Sequence, residues 1–302
     1  MRVVLFGPNG QVGWELRRAL APLGEVVALD RQTREPATGD LEQPEAVAAA
    51  IRALRPAVVV NAAAYTAVDK AESEPARAAC INTTAVAAMA HACADVGALL
   101  VHYSTDYVFD GEGTTARRED APIAPLSVYG RTKADGEAAI RASGCDHLIL
   151  RTSWVYAARG HNFARTMLRL ARERAALSVV SDQVGAPTGA ELIADATVHA
   201  IRSVVATVDR AALSGTYHLA ARGATTWFDY AAHVIEAARA RGEPLTLAPG
   251  VLNAIATAEY PTPARRPLNS RLDVTRFEAT FGLTLPDWRL GVDRVLQEWW
   301  SR

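Results

Sequence analysis

The chain has few of the residues on which redox, metal or membrane arguments usually rest. Its three cysteines, Cys80, Cys93 and Cys145, are an odd set without Cys-x-x-Cys spacing. That argues against a disulfide framework or a dithiol redox motif and leaves the thiols as small core hydrophobes. The histidines, His91, His102, His147, His161, His199, His218 and His233, stand singly, and no pair has zinc-ligand spacing, which argues against a zinc hydrolase. No apolar run reaches a bilayer-spanning length, and Met1-Arg2 followed by Val3–Phe6 and glycine is too short for a signal core, so the expected compartment is the cytoplasm. Net charge is lacking too. The 32 Lys+Arg against 33 Asp+Glu generate no overall field toward nucleic acid or an anionic membrane. The expected partner is a small molecule.

What is present is bulk and pattern. In 302 residues, 50% are hydrophobic and 22% charged, enough to bury one large core or two joined ones. Short β-branched runs alternate with Ala-rich helical stretches, the order that forces parallel strands joined by crossover helices. Strands are predicted at Arg2–Phe6, Glu25–Leu29, Val58–Asn61, Leu99–Ser104 and His147–Leu150. Helices are predicted at Gln11–Ala21, Pro44–Leu54, Glu72–Val96 and Ser127–Ala142. This is an α/β, doubly wound arrangement. Residues 1–151 read as a dinucleotide-binding domain, completed by about 190–225, where Thr216–Leu219 adds a late strand to the first sheet. Residues 152–189 and 226–302 read as a smaller, partly interleaved α/β substrate domain, with helices at Asn162–Arg174 and Gly189–Val205. Its proline-rich stretches, Pro244–Pro249 and Pro261–Pro267, read as surface loops able to border a cleft.

Gly7-Pro8-Asn9-Gly10-Gln11-Val12-Gly13 lies between the first strand and first helix. Glycines there let the backbone approach a pyrophosphate at a helix N-terminus, although a tight turn alone also explains them. Asp30 ends the second strand, where a carboxylate meets adenosine ribose hydroxyls and favours NAD; Arg31, beside it, suits the 2′-phosphate of NADP. Cofactor preference stays open between the two. Gly39-Asp40 follows, where the carboxylate reaches an adenine amino group or caps a turn. Ala63, Ala64 and Tyr65, after the third strand, allow a cofactor to lie against the backbone or a helix to pack closely. The fourth strand runs into Thr105-Asp106, and the next long helix presents Tyr129 and Lys133 on one face. A nearby ammonium would lower the phenol's pKa and make it a better proton donor to a developing alkoxide, while Thr105 hydrogen-bonds the same oxygen. Tyr-x-x-x-Lys alone is a common surface accident; the preceding order of strands and motifs gives it weight.

These elements resemble the short-chain dehydrogenase/reductase superfamily in its extended, sugar-nucleotide-modifying form, with a Rossmann-type sheet. Val60–Glu72, Ser104–Gly111, Arg151–Tyr156, Asp182–Thr188 and Tyr260–Ser270 narrow the resemblance to the dTDP-4-dehydrorhamnose reductase family over nearly the entire chain. The resemblance implies NADPH- or NADH-dependent reduction of the C4 keto group of dTDP-6-deoxy-L-lyxo-4-hexulose to dTDP-L-rhamnose, a donor for cell-surface glycans such as lipopolysaccharide O-antigen. It implies that Tyr129 delivers the proton, that Lys133 binds nicotinamide ribose and tunes Tyr129, and that Thr105 polarises the carbonyl. It further implies that Asp106 touches the sugar, that Trp154 packs against the hexose, and that Asn82 lies close to the cofactor. Asn82 read by itself is equally a polar interruption of an apolar helix, and Trp154 a core aromatic. Arg265 and Arg266 suit the diphosphate, since guanidinium forks bind phosphate oxygens in pairs. Some family members hold Mg²⁺ at a homodimer interface, and Glu15, Glu191 and Glu298 stand at the matching positions; each is otherwise a solvated helix residue.

Two rivals share the fold. A sugar-nucleotide 4-epimerase keeps its cofactor and returns the hydride, and its opening turn differs from the one here. A non-catalytic reductase-like regulatory subunit keeps the fold without turnover; intact Thr105, Tyr129, Lys133 and Trp154 argue for catalysis.

Overall fold

The structure is a computed structural model that describes residues 1–33 and 37–301. Its first half runs β1 (Arg2–Phe6), α1 (Gln11–Leu20), β2 (Glu25–Leu29), α2 (Pro44–Leu54), β3 (Val58–Asn61), α3 (Val68–Ala71), α4 (Pro75–Ala79), α5 (Ala85–Val96), β4 (Leu99–Thr105), α6 (Val128–Ala142) and β5 (His147–Thr152). There follow β6 (Val155–Tyr156), α7 (Phe163–Glu173), β7 (Leu177–Val180), β8 (Val184–Gly185), β9 (Thr188–Gly189), α8 (Ala190–Ala206), β10 (Gly215–His218), β11 (Thr225–Thr226), α9 (Trp227–Ala240), β12 (Leu252–Ile255), α10 (Thr275–Phe281) and α11 (Trp288–Trp300).

Six strands form one sheet in the order β10-β5-β4-β3-β1-β2, every pair parallel. The strands read as continuous Val/Leu runs because both faces are covered. Val3, Leu5, Val58, Val60, Leu99 and Val101 join one core, with α1, α8 and α10. Val4, Phe6, Val59 and Leu100 join the other, with α2 and α5. Cys93 and Cys145 are buried in this second core as free thiols. The strand order reverses between β1 and β3, so the crevice at their carboxyl ends is where a ligand of such a sheet binds. The remaining strands make two-stranded pairs, β6 with β9, β7 with β12 and β8 with β11, packed with α7, α9 and α11 around aromatic clusters. No helix among the described residues is long and apolar enough to cross a membrane.

One expected element differs. The single helix expected over Glu72–Val96 begins at Pro75 and is interrupted by a π-turn at Cys80–Thr84. Asn82 causes the break to be worthwhile: its buried amide accepts from Tyr65 N–H (2.9 Å) and donates to Tyr65 C=O (3.1 Å), satisfying a loop that a regular helix would leave unpaired.

Candidate active site

The glycine turn follows β1 directly. Gly7 sits at φ +76°, and a Cβ there would lie 2.7 Å from Ala63 N. A Cβ at Gly13 would lie 1.9 Å from Gly7 O. Both glycines are therefore required by the chain's own packing of α1 on the turn and of the turn on the end of β3. Gly10 is different, because its Cβ would meet nothing closer than Gly7 O at 3.6 Å. Gly10 is the N-cap of α1 and supplies no side-chain cap, and Gln11 Oε1 is buried without a partner. Open space, uncapped helix N–H groups and an unsatisfied polar atom at one turn fit a dinucleotide pyrophosphate. Val12 packs behind the turn against the core.

Asn9 Nδ2 donates to Asp30 Oδ2 (2.6 Å). The Thr33 hydroxyl and the backbone N–H groups of Gln32 and Thr33 converge on Asp30 Oδ1 and hold this carboxyl below its ordinary range. Arg31 beside it is exposed and has no side-chain partner among the described residues. Gly39 lies against Leu29, its N–H donating to Asp30 C=O (3.0 Å). Asp40 caps the approach to α2, accepting from Glu42 N–H and Gln43 Nε2. Ala63 N–H donates to Asn61 Oδ1 (3.1 Å). Ala64 is half-buried beside it. Tyr65 is buried, its hydroxyl on Glu74 (2.8 Å). Asn82 also donates to Thr132 Oγ1 (3.2 Å), so its amide is fully engaged in tying the Tyr65 loop to α6.

Thr105 closes β4. Its hydroxyl donates to Asp106 Oδ1 (3.1 Å) and accepts from Tyr107 N–H (3.2 Å). Ser127 caps α6 by accepting from Gly130 N–H (3.1 Å), which places Tyr129 in the first turn with its ring edge-on to Tyr107 at 5.5 Å. Gly130 allows that approach, since a Cβ would sit 2.2 Å from Tyr107 O. Burial pushes the Tyr129 phenol up to about 12, with the Thr105 hydroxyl pulling the other way. Burial likewise raises the Asp106 carboxyl to about 6.

Lys133 is where the expectation needs correcting. Its Nζ donates to Tyr103 C=O (2.6 Å) and meets His102 Nε2 at 3.0 Å, and it does not lower the Tyr129 pKa. The cause is burial: Lys133 is 2% exposed, so desolvation pulls its own pKa down to about 8 and its Nζ turns to the buried partners Tyr103 C=O and His102. Below it lies an ion cluster that the sequence reading missed. Glu137 takes Arg151 on both oxygens (2.9 and 2.7 Å), Ser104 (2.6 Å) and Arg141 (3.1 Å). The signal was available, because Tyr129, Lys133 and Glu137 repeat at helical spacing along one face.

The residues expected to meet the substrate separate. Trp154 occupies a positive φ of 49°, which a bulky side chain adopts only when its surroundings force it. Its indole stacks on Trp227 at 3.6 Å, and a Cβ at Gly185 would lie 2.7 Å from it. Trp227 in turn donates from Nε1 to Gln183 (3.1 Å); neither partner was expected. Arg266 is held by Asp69 through both nitrogens (3.1 and 2.8 Å), whereas Arg265 is exposed. Glu15, Glu191 and Glu298 line one cleft of about 420 Å³ with Arg18 and Arg294. Glu191 pairs with Arg294 and Glu15 with Arg18, and among the described residues no three acidic, histidine or cysteine side chains are grouped to hold a metal ion.

Fold and site together define the class: a nicotinamide-dependent reductase of the short-chain dehydrogenase/reductase kind. The family described as RmlD substrate binding domain matches residues 1–300. The dTDP-4-dehydrorhamnose reductase of Escherichia coli K12 is 56% identical over 298 residues, covering 99% of this chain and 98% of that protein. The enzyme of the same name from Burkholderia thailandensis is 47% identical over 301 residues, 99% of each. Among solved structures, a dTDP-4-dehydrorhamnose reductase from Clostridium acetobutylicum aligns with a TM-score of 0.86 at 33% identity, over 99% of this chain and 100% of that one. The Bacillus anthracis enzyme in complex with NADP aligns at 0.85 and 32%, over 98% and 99%. The chain belongs to the dTDP-4-dehydrorhamnose reductase family.

Proposed function

We infer that this chain reduces the C4 ketone of dTDP-6-deoxy-L-lyxo-4-hexulose to give dTDP-L-rhamnose in the cytoplasm, the final step in making a donor for cell-surface glycans such as O-antigen. The observation that carries the reading is the proximity of Thr105 and Tyr129 at the carboxyl edge of the sheet whose first turn is the open Gly10 cradle. A bound NADPH or NADH supplies the hydride. Tyr129 gives its phenolic proton to the C4 oxygen, and Thr105 donates a hydrogen bond to that oxygen as charge develops. Asp106, protonated over part of the working pH range, contacts a sugar hydroxyl beside them. Gly7, Asn9, Gly10, Gln11, Val12 and Gly13 hold the pyrophosphate, Asp30 and Arg31 the adenosine end, and Lys133 the nicotinamide ribose. The stacked Trp154 and Trp227 border the hexose, and Arg265 with Arg266 face the diphosphate. Residues 1–151 with about 190–225 form the dinucleotide part, and 152–189 with 226–302 the sugar-nucleotide part.

Cofactor preference turns on adjacent groups. The four hydrogen bonds on Asp30 leave it less free for ribose hydroxyls, while exposed Arg31 is available to a 2′-phosphate, which supports use of NADPH alongside NADH. Within one chain the three glutamates do not fit a cation, because arginines neutralise two of them. A homodimer bridged by Mg²⁺ requires carboxylates from a second copy, and a dimer mass unchanged by chelator refutes the bridge. The function is tested by following reduced-cofactor absorbance with the keto-sugar. Stoichiometric oxidation of NADPH or NADH supports it; dinucleotide binding without turnover favours a regulatory subunit, and interconversion without net oxidation an epimerase.

A further inference from the structure

Behind Lys133 lies a buried hydrogen-bonded chain whose donors and acceptors can be counted. Asn61 on β3 and His102 on β4 are cross-strand neighbours in register, and each is 1% exposed. A backbone N–H can only donate, so Asn61 must turn Oδ1 toward Ala63 N–H (3.1 Å). Its Nδ2, a donor, then faces His102 Nδ1 at 3.1 Å. Nδ1 must accept, and a neutral imidazole carries its single proton on Nε2. That N–H points at Lys133 Nζ, 3.0 Å away. An ammonium has no lone pair to receive it; an amine has one, and keeps a proton for Tyr103 C=O.

We propose that Asn61 and His102 are positioning residues that favour the neutral amine of Lys133, so that this lysine gives up its proton more readily than an ordinary ammonium. When it does so in the cofactor-free protein, an N–H bond of Lys133 breaks, the proton passes to solvent, and the lone pair left on Nζ accepts from His102 Nε2–H. Protonating Lys133 again forces His102 to the other tautomer, with Nδ1–H opposing Asn61 Nδ2. Other groups do not account for this arrangement. On α6, Tyr129 is neutral and Glu137, which favours the ammonium, is neutralised by Arg151 from β5. Asp106 and Tyr107 follow β4, Glu72 caps Val128 N–H, Asp69 on α3 is held by Arg266, and the one buried titratable group of α5 is the Cys93 thiol. Burial moves both titrations the same way, His102 well below its ordinary value and Lys133 to about 8.

The inference rests on the reductase reading for its role, but its test does not need turnover. The chain has two lysines, Lys70 and Lys133, so ¹³Cε-lysine labelling gives two signals, separated by Lys70→Arg. His102→Gln identifies the His102 ¹⁵N resonances. In the cofactor-free wild type, Lys133 is expected to titrate near 8 and His102 to carry its proton on Nε2 above that midpoint. Asn61→Asp presents a second acceptor to Nδ1, turns Nε2 into an acceptor for the ammonium, and is expected to raise the Lys133 midpoint by about one to two pH units. The basic limb of kcat in the holoenzyme should rise with it. An Nδ1–H tautomer in the wild type at a pH above the Lys133 midpoint, or a Lys133 that stays an ammonium past pH 10 or so, overturns the proposal. Both are read without the variant, so a misfolded Asn61→Asp protein leaves the test intact. Loss of turnover with the expected titrations would count against the reductase reading alone.

Discussion

The two sides of the cleft are built by different means. On the cofactor side, position is set by backbone: strand register, a helix start, and glycines whose missing Cβ atoms let three segments meet. On the side proposed for the sugar, position is set by side-chain pairs between residues remote in sequence. Arg266 reaches Asp69 across 197 residues, and Trp227 stacks on Trp154. The first kind of construction is expected to tolerate almost no change where segments touch, and the second to tolerate loss of one partner at moderate cost.

That contrast can be broken most severely at the glycine turn. Gly13→Ala must move Gly7 O, 1.9 Å from the new methyl, and is expected to cost about 3 kcal/mol or more or to prevent folding. Gly10→Ala has no such clash, so it should stay within ~1 kcal/mol of the wild type while dinucleotide affinity falls roughly tenfold or more. Equal stability loss in the two variants, measured by urea unfolding, would erase the distinction between a glycine needed for packing and one needed for the ligand.

Asp106→Asn probes the boundary between the sides. Burial raises this carboxyl from 3.8 to about 6, so ionising it costs the folded state stability. The cost is absent below the unfolded value, grows between 3.8 and about 6, and is constant above. The asparagine variant should therefore be more stable by roughly 3 kcal/mol at pH 8 and equal at acid pH, with slower reduction. A variant no more stable at pH 8 would show that the carboxylate is well solvated.

Smaller effects are expected from side-chain pairs. Arg266→Gln removes a partly exposed ion pair, and should cost about 0.5–1 kcal/mol of stability while raising KM for the dTDP-sugar more than it lowers kcat. An unchanged KM would remove Arg266 from the diphosphate site. Smallest of all, Arg31→Ala should leave stability unchanged and reduce kcat/KM for NADPH several-fold relative to NADH, since only NADPH carries the 2′-phosphate; equal ratios would leave the preference to other groups.

The same division explains what could be read from the linear chain. The parallel sheet and its strand ends follow from apolar runs, and the turn and the Tyr129–Lys133 spacing from local pattern. The π-turn escaped because Asn82 interrupts an otherwise good helix for the sake of Tyr65, which only the fold brings near. His102 and Arg151 escaped for a related reason: their partners, Lys133 and Glu137, lie on another element. The expected lowering of the Tyr129 pKa by Lys133 failed because helical spacing fixes which face a side chain shares, not which partners a buried lysine meets.

Tyr129→Phe tests the central claim most directly, measured for unfolding midpoint, dinucleotide affinity and reduced-cofactor oxidation with the keto-sugar. The account predicts a protein that folds and binds cofactor like the wild type and turns over ~10²–10⁴-fold more slowly. Full turnover in that protein would contradict it.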